Sequence, residues 1–113
     1  MGIPFNDNLE ATPVDDVTCL VEIERVYGLD WARFGEEHWD VLARIYEALP
    51  GAVRRREVPW WFGDDEDFPP FLRASVEPTG LRVTGILPES EWRAWDERFR
   101  RAAGDLLPAR LRK

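Results

Sequence analysis

The 113 residues fit a single domain, since domains commonly run to ~100–200 residues. Hydrophobic residues make up 44% of the chain and charged residues 33%, which excludes a fibrous or disordered protein. A net charge of −7 disfavours nucleic acid as a primary partner, no apolar run approaches the ~20 residues that cross a bilayer, and one cysteine, Cys19, excludes an internal disulfide framework and a cysteine-built zinc site.

The charge is uneven. Residues 1–50 carry eleven acids against Arg25, Arg33 and Arg44, a net of −8, whereas residues 51–113 net +1. An acidic half speeds encounter with a basic partner. Lys113 is the only lysine, a bias toward arginine that a GC-rich bacterial genome would encode. Met1 to Asn6 show neither a basic n-region nor an apolar h-region, so the expected compartment is the cytoplasm.

Residues 1–11 read as a loose arm, because Gly, Pro and Asn interrupt any period. Thr12-Pro13-Val14-Asp15 carries helix-start signals: a capping hydroxyl, a proline at the first helical position, and acids at the positive end of the dipole. Residues 17–27 fit two patterns. Val14, Val17, Leu20, Val21 and Val26 partly follow a helix, while Cys19, Val21 and Ile23 alternate as in a strand. The start signal favours a helix there, ended by Gly28. Asp30 caps the next helix, whose face is Trp31, Phe34, His38, Leu42, Ile45 and Leu49, with Gly35 able to split it and Pro50-Gly51 ending it. Residues 52–62 read as an edge strand, since Pro59 cannot donate to a ladder.

Residues 71–87 read as a hairpin. Leu72, Ala74, Val76, Leu81 and Val83 form its apolar side, and Glu77-Pro78-Thr79-Gly80 its turn. A last helix starts near Pro88, with Trp92, Trp95, Phe99 and Ala102 as its stripe and Gly104 as its end. Residues 105–113 form a tail with Leu106, Leu107 and Leu111 available for packing. A hairpin apolar on one side needs a cover. The expected fold is therefore α+β in two layers, a small antiparallel sheet of about three strands covered by two to three helices.

Catalytic signatures are sparse. There is one histidine, His38, inside an apolar stripe, and no glycine-rich phosphate loop. Cys19 and His38 sit on neighbouring elements, but no third group is in evidence to orient them. Asp64-Asp65-Glu66-Asp67 lacks the spacing of a calcium loop and reads as a solvated charged segment, so no metal or other cofactor is expected. Arg54-Arg55-Arg56 is a weak phosphate-contact signal, more simply satisfied by the domain's own acids.

The acidic run is bracketed by rings: Trp60, Trp61 and Phe62 precede it, Phe68 and Phe71 follow it. In one reading these rings seal one end of the core. In the other they form a binding loop, because neighbours in an extended chain point to opposite faces and Trp60 and Trp61 cannot share one core. Large exposed rings beside charge are common anchors for protein partners, and Pro59, Pro69 and Pro70 would stiffen the loop. The candidate partner-binding residues are therefore Trp60, Trp61, Phe62, Asp64, Asp65, Glu66, Asp67 and Phe68. No family motif is present. Small, acidic, catalytically bare single domains have the general character of bacterial toxin-neutralising immunity proteins. The leading expectation is thus a non-catalytic inhibitor that occludes a basic protein partner, with no nucleic-acid or membrane role. The alternatives are an accessory subunit assembling with itself or a larger complex through exposed aromatics, and an enzyme using a carboxylate pair or weak metal site.

Overall fold

Six strands, β1 (Phe5–Asp15), β2 (Leu20–Tyr27), β3 (Ala52–Val53), β4 (Trp60–Trp61), β5 (Phe71–Glu77) and β6 (Gly80–Pro88), join in one antiparallel sheet of order β1-β2-β6-β5-β4-β3. Two helices, α1 (Glu36–Ala48) and α2 (Glu89–Gly104), complete an α+β fold. In this computed structural model, residues 5–15 (as backbone), 20–53, 59–63, 65, 67–104 and 106–109 are described.

The sheet is larger than the three strands expected, and both additions at one end come from the N-terminal region. Residues 5–15 are a strand rather than a loose arm, and Thr12 and Pro13 pair with Glu22 and Val21 instead of starting a helix. Residues 20–27 are a strand rather than a helix, paired residue for residue from Leu20↔Pro88 to Tyr27↔Leu81. The alternation was the decisive pattern. Val21, Ile23 and Tyr27 are buried and Glu22 is exposed, and pairing with β6 on one side and β1 on the other overrides the local helix-start signal.

The remaining elements follow their local chemistry. Asp30 accepts a hydrogen bond from the Ala32 N–H at 3.2 Å and caps a 3-10 turn over Trp31–Arg33. Gly35 does split the segment, and α1 begins after it. His38 accepts the Gly35 N–H through Nδ1 at 2.8 Å, so the lone histidine caps its own helix at the boundary of the core. The 71–87 hairpin forms in the expected register, with Glu77↔Gly80 closing the turn. Gly80 has φ +143°, and a Cβ there would strike the carbonyl oxygen of Tyr27, so only glycine fits. Val76 is an exception to the expected apolar side. It lies in the same strand row as Leu72 and Ala74 yet is 54% exposed. In the C-terminal segment Leu107 is buried, Leu106 is exposed, and Ala109 bridges to Leu29, so residues 106–109 dock rather than trail. No helix is long and apolar enough to cross a membrane among the described residues.

One face of the sheet carries the core. Leu72, Leu81, Val83 and Leu87 meet Leu42 and Ile45 of α1 and Trp92, Trp95 and Phe99 of α2. Trp95 is wholly buried, stacked on Phe99 at 5.4 Å and met edge-on by Trp61 at 5.0 Å, with Trp92 and Tyr27 completing four ring contacts. Its Nε1 has no hydrogen-bond partner among the described residues, which costs about 1–3 kcal/mol. Four aromatic contacts at ~0.5–1.5 kcal/mol each, added to the burial itself, outweigh that cost.

A single buried carboxylate pins α2 to β2. Asp96 accepts from the Tyr27 hydroxyl at 2.6 Å, from Arg25 at 2.7 Å and from the Arg100 Nε at 3.1 Å. Arg25 also lies 5.1 Å from the Trp92 ring centre. Removing Asp96 would take away the buried carboxylate that Arg25, Tyr27 and Arg100 share, so Asp96→Ala is expected to destabilise the fold by about 3–5 kcal/mol in urea denaturation.

Burial, and then the Asp96 carboxylate, push the Tyr27 hydroxyl well above its ordinary pKa, and burial alone pushes Tyr46 up. Both phenols stay protonated in the fold while those of the unfolded chain ionise near ~10. Stability therefore holds below pH ~10 and falls as pH rises beyond it, by up to ~1.4 kcal/mol per pH unit for each tyrosine. These are the only two tyrosines, so Tyr46→Phe should roughly halve that alkaline slope in denaturation curves measured across the range.

Candidate functional site

Strand β4 has only two residues, and their side chains part company. Trp61 pairs with Leu72, which pairs with Gly85 and through it with Ile23, the row that faces the helices. Trp60 pairs with Arg73 in the row of Thr84 and Glu24, on the opposite face. The two tryptophans thus enter different environments, as extended-chain alternation requires.

Trp61 is 1% exposed. Its Nε1 donates to the Tyr46 carbonyl at 3.0 Å, and its ring meets Tyr46 at 5.4 Å as well as Trp95. A ring so enclosed offers no surface to a partner, which removes Trp61 from the candidate anchors. Its position is set by the core, which needed a large ring to fill the space between α1, α2 and β5. Trp60 is half-buried on the other face, with Phe71 at 5.7 Å and the Arg73 guanidinium 5.6 Å from its ring centre. Phe71 is buried in this second, smaller cluster, apart from the helix-side core.

Phe62 turns the chain out of β4. Its φ of +67° is a left-handed conformation that a bulky residue adopts only when its surroundings hold it there, at a cost of order 1–3 kcal/mol. The hold is visible: the Phe62 N–H donates to the Gly51 carbonyl at 2.7 Å, and its ring covers Gly51, where a Cβ would come within 2.7 Å of it. Phe62 itself is half-buried against the core.

Beyond this bend Asp65 and residues 67–70 are exposed. Asp65 Oδ1 accepts from the Asp67 N–H at 2.9 Å and the Asp65 carbonyl accepts from the Phe68 N–H at 3.2 Å, an aspartate-built turn. Asp65 and Asp67 are exposed, and Phe68 is 73% exposed. Asp64 and Glu66 lie outside the described residues, as do Cys19, Arg54-Arg55-Arg56 and Leu111. Of the eight candidates, the structure therefore brings Asp65, Asp67 and Phe68 together at the tip, leaves Trp60 and Phe62 half-covered at its base, and buries Trp61. Among the described residues, no group of three or more His, Cys, Asp or Glu is placed to hold a metal ion.

One exposed apolar side chain, Trp39, had no part in the sequence reading. Trp39 is 42% exposed and stacks on Trp31 at 5.2 Å. With Val76 it lines a groove of about 450 Å³ between α1 and β5, which Tyr46 and Pro59 also border. Trp39 follows His38 directly and so falls off the helix's apolar stripe, which was the available signal. Comparison of the chain with protein-family models, curated proteins and solved structures finds no match.

The placement of the two rings separates stability from surface. Trp61→Ala is expected to cost about 3–5 kcal/mol of stability, as large-to-small core substitutions do. Phe68→Ala should leave the thermal midpoint within the range of ordinary surface changes, about 0.5 kcal/mol. Paired melting curves of the two variants test the assignment.

Proposed function

We propose that this protein is a non-catalytic binding protein that engages a more basic protein through the 60–68 loop and occludes part of its surface, as an immunity protein occludes a toxin. One observation carries the reading: a 73%-exposed phenylalanine is held beside two exposed aspartates in a hydrogen-bonded turn. An apolar ring left in water costs free energy that docking recovers, and carboxylates beside it complement a basic cleft. The turn's own hydrogen bonds and the fixed bend at Phe62 lower the ordering cost that binding would otherwise carry. The tip anchor is Phe68, with Trp60 at the base and Asp65 and Asp67 as the charged rim. The acidic N-terminal half adds long-range attraction that salt would screen.

A second reading, self-association or assembly into a larger complex, is favoured by the apolar pair Trp39 and Val76 along the α1–β5 groove. Light scattering separates the two, since a homo-oligomer lost on Trp39→Glu points to assembly rather than occlusion.

The direct test is isothermal titration against the product of the adjacent gene over a salt series. Binding should weaken as salt rises. Phe68→Ala should cost about 2 kcal/mol or more of affinity with the fold unchanged, as at an interface hot spot. Absence of binding at low salt, or binding indifferent to Phe68, contradicts the proposal.

A further inference from the structure

The α1–α2 side of the molecule carries a groove whose charge is opposite to that of the chain. It has a volume of about 460 Å³, within the ~300–1,000 Å³ of small-molecule sites. Its floor is apolar, made by Val41 and Ile45 of α1 and Ala102 of α2, with Leu106 at its rim. Among the described residues its charged lining is entirely arginine: Arg44 from α1, and Arg98 and Arg101 from α2. Arg101 is paired with Glu97 at 2.8 Å. Neither Arg44 nor Arg98 has an ion pair or hydrogen bond among the described residues. On a protein of net charge −7, two unpaired guanidiniums on facing helices above an apolar floor form a local inversion of the surface charge.

From this we infer that the groove binds a single-chain amphiphile with a carboxylate head, a medium-length fatty acid. The alkyl chain lies along Val41, Ile45, Ala102 and Leu106, and the head is taken by Arg44 and Arg98. The chemistry is complementary on both counts. Alkyl burial yields ~0.8 kcal/mol per methylene, and the planar guanidinium pairs a carboxylate bidentately, which neither an alcohol nor a cation reproduces. Leu106 is 56% exposed at the rim, so a bound chain would cover apolar surface that now faces water. The groove shares no lining residue with the 60–68 loop, and this inference stands apart from the proposed partner-binding role.

The test is an NMR titration with dodecanoate below its micelle concentration, with dodecanol and dodecyltrimethylammonium as chain-matched controls. Dodecanoate should give saturable shifts at Val41, Ile45, Ala102 and Leu106, with an affinity at least roughly tenfold above both controls. An Arg44→Ala/Arg98→Ala variant should lose that tenfold advantage while dodecanol binding stays unchanged. Ala48 is exposed at the groove, so Ala48→Glu should reject dodecanoate by like-charge repulsion without disturbing the core, its melting curve serving as the control. Equal binding of all three chains, no saturable shift, or shifts seen only with phosphatidylglycerol vesicles would each overturn the inference.

Discussion

The opposed directions of Trp60 and Trp61 govern both the fold and the candidate site. A two-residue strand cannot send adjacent side chains to one face, so one tryptophan enters the helix-side core and the other faces away. The inward ring contacts Trp95 and fastens the short β3–β4 end of the sheet to both helices. Because Trp61 is fixed, the bend at Phe62 is fixed, and the acidic turn projects from a rigid base.

Charge is arranged in the same economical way. Asp96 is the one described buried acid, and it gathers two arginines and a tyrosine hydroxyl between β2 and α2. Such a cluster is costly to break and adds less net stability than its short distances imply, since its ions must first be desolvated. It ties α2 to β2 at the residue next to Trp95. Elsewhere acids dominate the loop tip while arginines line the α1–α2 groove, giving two surfaces of opposite sign on one small domain.

Much of the chain beyond residue 28 was legible in the sequence. The 71–87 hairpin, the last helix and the split at Gly35 follow from alternation, turn chemistry and periodicity, all of which act over a few residues. Residues 20–27 were misread because their structure is decided by pairing partners more than fifty residues away, against Leu81 to Pro88, and residues 5–15 because they pair in turn with that strand. Local signals at Thr12 and Pro13 were real but weak beside a continuous antiparallel ladder. The alternation at Val21 and Ile23 carried the correct answer in competition with them. At the site, strand geometry told that one of Trp60 and Trp61 must face outward. It could not tell which, because that depends on register with β5. The exposure of Phe68 was likewise invisible, since nothing in a run of acids and prolines says whether a flanking ring folds back.

We propose that the acidic turn presents an uncovered ring that a basic protein covers. Hydroxyl-radical footprinting read residue by residue, with and without the adjacent-gene product, addresses it directly. Phe68 should be heavily oxidised and Trp61 untouched in the free protein, with Phe68 and Trp60 protected in the complex. A Phe68 that is unreactive when free, or equally reactive in both states, would contradict it.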